Sequence, residues 1–135
     1  MEQRVDNDLI IQVMKMQDLD EVMKVEQQCF TIPWSRYSFT QELKDDQLSQ
    51  YLIARHLGKI IGYVGIWVVL DEAHVTNVGV LPEYRGKGIG ELLMRSIMAV
   101  AKTRGAKRIG LEVRKSNFVA QNLYSKLGFE PVRIR

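Results

Sequence analysis

The chain has 135 residues, of which 46% are hydrophobic and 26% charged, enough for one domain with a buried core. A net charge of only +3 gives no electrostatic footing for nucleic-acid binding, and no apolar run approaches the roughly 20 residues that span a membrane. The first eight residues lack the basic and apolar regions of a signal peptide, the single Cys29 suits a reducing compartment, and His56 and His74 lie apart without metal-ligand spacing, so a cytoplasmic protein without metal is expected.

Leu9 to Lys15 predicts a first strand. Asp18-Leu19-Asp20-Glu21 resembles a capping box that opens a helix, along which Leu19, Val22, Val25 and Cys29 recur at helical spacing. Cys29 is then the end of a buried stripe, a small core hydrophobe rather than a nucleophile. Pro33 interrupts the helical pattern, and Ser35 is placed to cap a second helix to about Lys44, with Phe39 and Leu43 inward. Trp34 sits between the two helices, where it either plugs the edge of the core or forms a wall of a binding groove. Tyr51 to Arg55 and Ile60 to Leu70 predict strands joined by a turn at His56-Leu57-Gly58-Lys59. The second is apolar on both faces, the mark of a central strand. Ala73 to Val80 follows as a strand after an Asp71-Glu72 connection.

A helix from Ile89 to about Arg104 carries Ile89, Leu92, Leu93, Ile97, Val100 and Ala101 on one stripe and stops at Gly105. Lys107 to Val113 is the next strand, with Glu112 on the face opposite Leu111 and Val113. A last helix over roughly Phe118 to Leu127 and a strand from Phe129 to Ile134 complete the order β-α-α-β-β-β-α-β-α-β. The expected fold class is α/β, a mixed central sheet with helices on both faces. The strand-helix-strand step around residues 80 to 107 should be a right-handed crossover between parallel strands.

Between the third of the central strands and the long helix lies Val78-Gly79-Val80-Leu81-Pro82-Glu83-Tyr84-Arg85-Gly86-Lys87-Gly88-Ile89-Gly90. Glycines at 86, 88 and 90 let the backbone approach a ligand closely, and the helix N-terminus aims unsatisfied N–H groups at the same place. That is an anion site suited to a phosphate or pyrophosphate. It is not a Walker A loop, since Lys87 is followed by Gly88 and no hydroxyl is placed for magnesium. The dinucleotide fingerprint fails as well, because the third glycine comes one residue early. Arg85 and Lys87 add positive charge, unless they are simply a solvated basic turn.

Arg85-Gly86-Lys87-Gly88-Ile89-Gly90 resembles the acetyl-CoA loop of the GCN5-related N-acetyltransferases. The likeness extends to Pro33-Trp34-Ser35, Asn77-Val78-Gly79-Val80, Leu111-Glu112-Val113-Arg114 with Ser116-Asn117, and Leu123-Tyr124 before Leu127-Gly128-Phe129. Within the superfamily it resembles the bacterial ribosomal-protein alanine N-acetyltransferases over almost the whole chain. The resemblance implies direct transfer of an acetyl group from acetyl-CoA to an amine, with the amides of Arg85, Gly86, Lys87, Gly88, Ile89 and Gly90 on the pyrophosphate. It implies that Val78, Gly79 and Val80 meet the pantetheine arm and the acetyl carbonyl, and that Asn117 touches CoA. It makes Glu112 the general base and Tyr124 the general acid, twelve residues apart, with Trp34 toward the acceptor. From the residues alone, Glu112 is equally a solvated strand glutamate, Tyr124 an aromatic on the last helix's apolar side, and Asn117 a helix cap.

The implied acceptor is a protein N-terminus, that of ribosomal protein S18 with its leading alanine, and no nucleic acid or membrane partner is implied. Two other readings stay open: a lysine or small-amine acetyltransferase of the same fold, and a non-catalytic acetyl-CoA-binding module. The family continues past Arg135 into a further strand that inserts between those corresponding to Lys107–Val113 and Phe129–Ile134. Here that final strand is absent, so the chain is expected either to be truncated or to complete its sheet in another way.

Overall fold

The computed structural model describes residues 2–4, 8–45, 47–111 and 130–131. Within them lie seven strands and three helices: β1 Glu2–Arg4, β2 Leu9–Val13, α1 Leu19–Cys29, α2 Arg36–Lys44, β3 Ser49–His56, β4 Lys59–Val69, β5 Glu72–Val80, α3 Ile89–Thr103, β6 Arg108–Leu111 and β7 Glu130–Pro131. The strands form one sheet in chain order, antiparallel from β1 to β5 and parallel from β5 to β7. The expected mixed sheet and the β5-α3-β6 parallel crossover are both present.

Three expectations need correction. An extra strand, β1, pairs with β2 at the sheet edge, where backbone pairing needs no apolar pattern to betray it. Asp18 makes no side-chain cap to α1; instead Met16–Asp18 forms a 3-10 turn, and the Asp18 carboxylate accepts from the Lys15 N–H at 2.9 Å and from Arg55 at 3.1 Å. The link between β4 and β5 is Leu70-Asp71, since Val69 pairs with Glu72 and Leu70 takes a positive φ of 55°. At the far edge Arg108 and Ile109 pair directly with Glu130 and Pro131, so these two strands adjoin with nothing between them. The expected helix over 118–127 lies outside the described residues.

Local chemistry explains the helices. Ser35 Oγ accepts from the Ser38 N–H at 3.1 Å and caps α2 as expected. The α1 stripe of Leu19, Val22 and Val25 is buried, and α3 buries Ile89, Leu93, Met94, Ile97, Met98 and Ala101. The backbone turns off α3 at Gly105, whose φ is +94°. β4 is the central strand: Ile60 through Ile66 are buried on both faces. On the face carrying Gly62 an added Cβ would meet Leu93 of α3 at 3.1 Å; on the opposite face Tyr51, Tyr63 and Trp67 meet α1 and α2. Among the described residues no helix is long and apolar enough to cross a membrane.

A bulge shapes β5. Gly65 pairs with Asn77 but Ile66 pairs with Val75, leaving Thr76 as the extra residue. Strict alternation would send Thr76 and Asn77 to opposite faces. The bulge lets both reach the α1–α2 side, where Thr76 Oγ1 meets the Tyr51 hydroxyl at 2.9 Å and Asn77 Nδ2 donates to Glu26 at 2.9 Å.

Candidate functional site

A cleft of roughly 520 Å³ opens where β5 runs into α3, a size ordinary for a small-molecule site. Its walls are Cys29 and Phe30 from the end of α1, Val78, Gly79 and Val80 from β5, and the stretch from Tyr84 to Glu91 except Lys87. The structure thus gathers eight of the sequence-predicted residues, Val78 to Val80, Arg85, Gly86 and Gly88 to Gly90, around one opening.

The loop's geometry follows from its glycines. Gly86 and Gly88 hold φ values of +80° and +82°, where an L side chain is strained, and a Cβ built on either finds no atom within 4 Å. Backbone approach is therefore open at both. Gly88 in its left-handed conformation is the N-cap of the fifteen-residue α3, so the first N–H groups of that helix have no intrahelical acceptor. Such a helix end favours an anion. One residue opposes it: Glu91 stands in the first turn on the cleft wall, drawn along the helix into an ion pair with Arg95 at 3.1 Å.

The two basic residues behave differently from each other. Arg85 Nε donates to the Val80 carbonyl at 3.1 Å and so ties the loop back to β5. Lys87 is not part of the wall; its ammonium lies 5.5 Å from the Tyr84 ring centroid, and Tyr84 in turn meets His56 Nδ1 at 3.0 Å through its hydroxyl.

β5 forms one side of the cleft. Val78 to Val80 pair with β4 on one side, while pairing with β6 runs only from Glu72–Arg108 to Val75–Leu111 among the described residues. Val78, Gly79 and Val80 themselves line the cleft. Cys29, expected at the end of the buried α1 stripe, is half-buried against the core and also reaches the cleft wall, where its thiol donates to the Val80 carbonyl at 3.2 Å. Burial pushes that thiol's pKa up, only partly offset by nearby Arg85, which keeps it protonated and a poor nucleophile.

Trp34 lies outside the cleft. It packs on Phe39 with ring centroids 5.2 Å apart, half-buried against the core, and its backbone N–H donates to Glu26 at 2.7 Å. Glu112, Asn117 and Tyr124 fall outside the described residues.

Sequence reasoning missed the polar seam behind this wall. Glu26 is fully buried and accepts from the Trp34 N–H, the Tyr63 hydroxyl and Asn77 Nδ2. Glu42 of α2 accepts from the Tyr51 hydroxyl at 2.8 Å and from the Trp67 indole at 2.7 Å. Burial pushes the Tyr51 phenol's pKa far up, so it stays a hydrogen-bond donor throughout the working range. A signal for Glu26 was present: it stands seven residues after Leu19 and four after Val22, a carboxylate on the apolar stripe of α1.

The acetyltransferase (GNAT) family model matches residues 19–129. The chain is 38% identical over 128 residues to the [ribosomal protein bS18]-alanine N-acetyltransferase of Haemophilus influenzae, covering 93% of this chain and 84% of that protein. A Bacillus subtilis protein, provisionally assigned the same activity, is 44% identical over 122 residues, covering 90% of this chain and 81% of its own length. The crystal structure of the ribosomal-protein-S18-alanine N-acetyltransferase from Escherichia coli superposes with a TM-score of 0.77 at 31% identity, over 89% of this chain and 76% of that one. The chain therefore belongs to the acetyltransferase (GNAT) family and is an N-acetyltransferase that draws its acetyl group from acetyl-CoA.

Proposed function

We propose that the chain acetylates the α-amino group of a protein N-terminus, and that its acceptor is the alanine-starting N-terminus of ribosomal protein bS18, met in the cytoplasm. The observation that carries this reading is near full-length similarity to proteins named for that activity, at 38% identity over 128 residues in the Haemophilus influenzae case.

The donor side falls to β5 and the glycine loop. The amides of Arg85, Gly86, Lys87, Gly88, Ile89 and Gly90, with the N-terminal end of α3, hold the CoA pyrophosphate. Support comes from the left-handed glycines and the open space at their Cβ positions. The backbone of Val78, Gly79 and Val80 pairs with the pantetheine arm, and an amide of this strand faces the oxygen on which negative charge gathers. Arg85 and Lys87 supply positive charge nearby.

When bound, acetyl-CoA supplies an activated thioester, and the chain's own groups manage the protons. A peptide α-amine has a pKa near ~7.7–8.0 and is already partly neutral at pH 7, so one carboxylate acting through water suffices as base. Glu112 has that role. Tyr124, with a phenol pKa near ~10, gives the departing thiolate its proton. Asn117 contacts the donor, and Trp34 forms the acceptor wall. A lysine acceptor, at a pKa near ~10.4, would demand a stronger base than this arrangement offers.

Peptides differing in their first residue, with a blocked-N-terminus lysine peptide beside them, are incubated with acetyl-CoA and the label is located by mass spectrometry. The expected product carries acetyl on the α-amine, most rapidly when alanine is first. Label on lysine alone contradicts the reading; thermal stabilisation by acetyl-CoA without turnover makes the chain a binding module. Glu112→Gln is expected to lower turnover on the order of a hundredfold, most strongly at low pH, with acetyl-CoA affinity unchanged. Wild-type turnover at every pH would remove Glu112 from its role.

A further inference from the structure

Glu26 is a charge-bearing group at 0% exposure, seated between two parts of the molecule that the reaction must keep in register. Burying a carboxylate is costly unless its lone pairs are met. Here one oxygen accepts from the backbone N–H of Trp34 at 2.7 Å, and the other accepts from Asn77 Nδ2 at 2.9 Å and from the Tyr63 hydroxyl. Trp34 stands in the loop between α1 and α2. Asn77 is the residue of β5 just before the cleft-lining Val78 to Val80, on the far side of the Thr76 bulge. A single side chain therefore pins the α1–α2 loop to the strand edge of the cleft.

The same contact fixes the orientation of Asn77. A carboxylate only accepts, so the amide nitrogen must face Glu26, which leaves Asn77 Oδ1 on the other side, buried and without a hydrogen-bond partner among the described residues. Removal of the Glu26 charge frees the amide to turn over. Tyr63 strengthens the tie from below, with its ring close enough to Gly79 that a Cβ there would meet it at 3.0 Å.

We propose that Glu26 is a positioning residue for the acceptor: its carboxylate, bridging Trp34 in the α1–α2 loop and Asn77 in β5, sets the distance between the acceptor wall and the donor strand. This rests on the reading of Trp34 as the acceptor wall. The role differs from that of a base, because every lone pair used is engaged with the protein and Glu26 is not on the cleft wall.

Glu26→Gln keeps the shape but replaces one acceptor oxygen with an amide donor, so the contacts to Trp34, Tyr63 and Asn77 cannot all persist unless Asn77 turns its amide over. The expected result is a fall on the order of tenfold in kcat/KM for the peptide, carried by KM, with acetyl-CoA affinity within about twofold of wild type. The double variant Glu26→Gln with Asn77→Asp places the amide and the carboxylate in exchanged positions and is expected to recover most of the loss. Tyr63→Phe, which removes the hydroxyl contact and keeps those of Trp34 and Asn77, gives a smaller change of the same kind and carries the test if Glu26→Gln does not fold. Wild-type peptide kinetics in Glu26→Gln overturn the proposal, as does a parallel loss of peptide and acetyl-CoA binding that the exchanged pair does not recover. Trp34→Leu separates the two levels. An unchanged peptide KM there contradicts the acceptor wall itself, whereas a raised KM beside a wild-type Glu26→Gln contradicts only the tie.

Discussion

At Gly65 an added Cβ would fall 2.1 Å from the ring of Tyr51, which lies across the strand and is held on its other side by Glu42 and Thr76. At Gly86 the same Cβ would meet nothing within 4 Å, yet its φ is +80°. These glycines are required for different reasons, and alanine separates them. Gly65→Ala is expected to cost about 1–3 kcal/mol of stability in a denaturant titration, from overpacking against a ring that cannot swing away. Gly86→Ala should cost about 1–2 kcal/mol from backbone strain. Only the second should also weaken acetyl-CoA binding, by on the order of tenfold, since its methyl group alters the loop proposed to hold the phosphates. Equal acetyl-CoA affinity in Gly86→Ala and wild type would deny the loop that task. The glycine loop was legible in the sequence because φ and close approach restrict residue type directly. Gly65 was not, because its reason is a ring on another strand.

Among the elements, those whose pattern is local were readable: the stripe of α3, the two-faced apolar run of β4 and the Ser35 cap of α2. The β5 bulge was hidden, since a one-residue surplus shows only against the partner strand. Its consequence is the polar seam, in which Thr76 and Asn77 bond to groups on β3 and α1 from the same face. Tyr51 is the junction of that seam with α2, its hydroxyl meeting Glu42 Oε1 at 2.8 Å and Thr76 Oγ1 at 2.9 Å. Tyr51→Phe leaves both partners short of one buried contact, and thermal or urea unfolding should register a loss of about 1–3 kcal/mol. A variant as stable as wild type would mean that water replaces the hydroxyl and that the seam does not fasten α2 to the bulge. Cys29 illustrates the converse limit: its spacing correctly placed it on the inward side of α1, but nothing in the spacing shows that the stripe runs out at the edge of a cleft.

Across the whole molecule the chain's architecture divides the work. The antiparallel half, β1 to β5, carries α1, α2 and the Trp34 loop, while the parallel half begins at β5 and supplies the loop and helix end suited to an anion. β5 belongs to both halves, and its Val78 to Val80 end lines the cleft. The family was legible from the Arg85-to-Gly90 spacing together with residues further along the chain, and the family match over residues 19–129 agrees. The extra β1 strand and the direct β6–β7 pairing were not legible, because each depends on backbone hydrogen bonds made by short, chemically unremarked segments. Acetyl-CoA is expected to seat against Val78–Val80 and the amides of the glycine loop. Amide hydrogen exchange, followed by mass spectrometry with and without acetyl-CoA, tests this most directly. Slowed exchange is expected in peptides covering residues 78–90, with little change in β2 or β3; unchanged exchange across 78–90 at saturating acetyl-CoA would place the donor elsewhere.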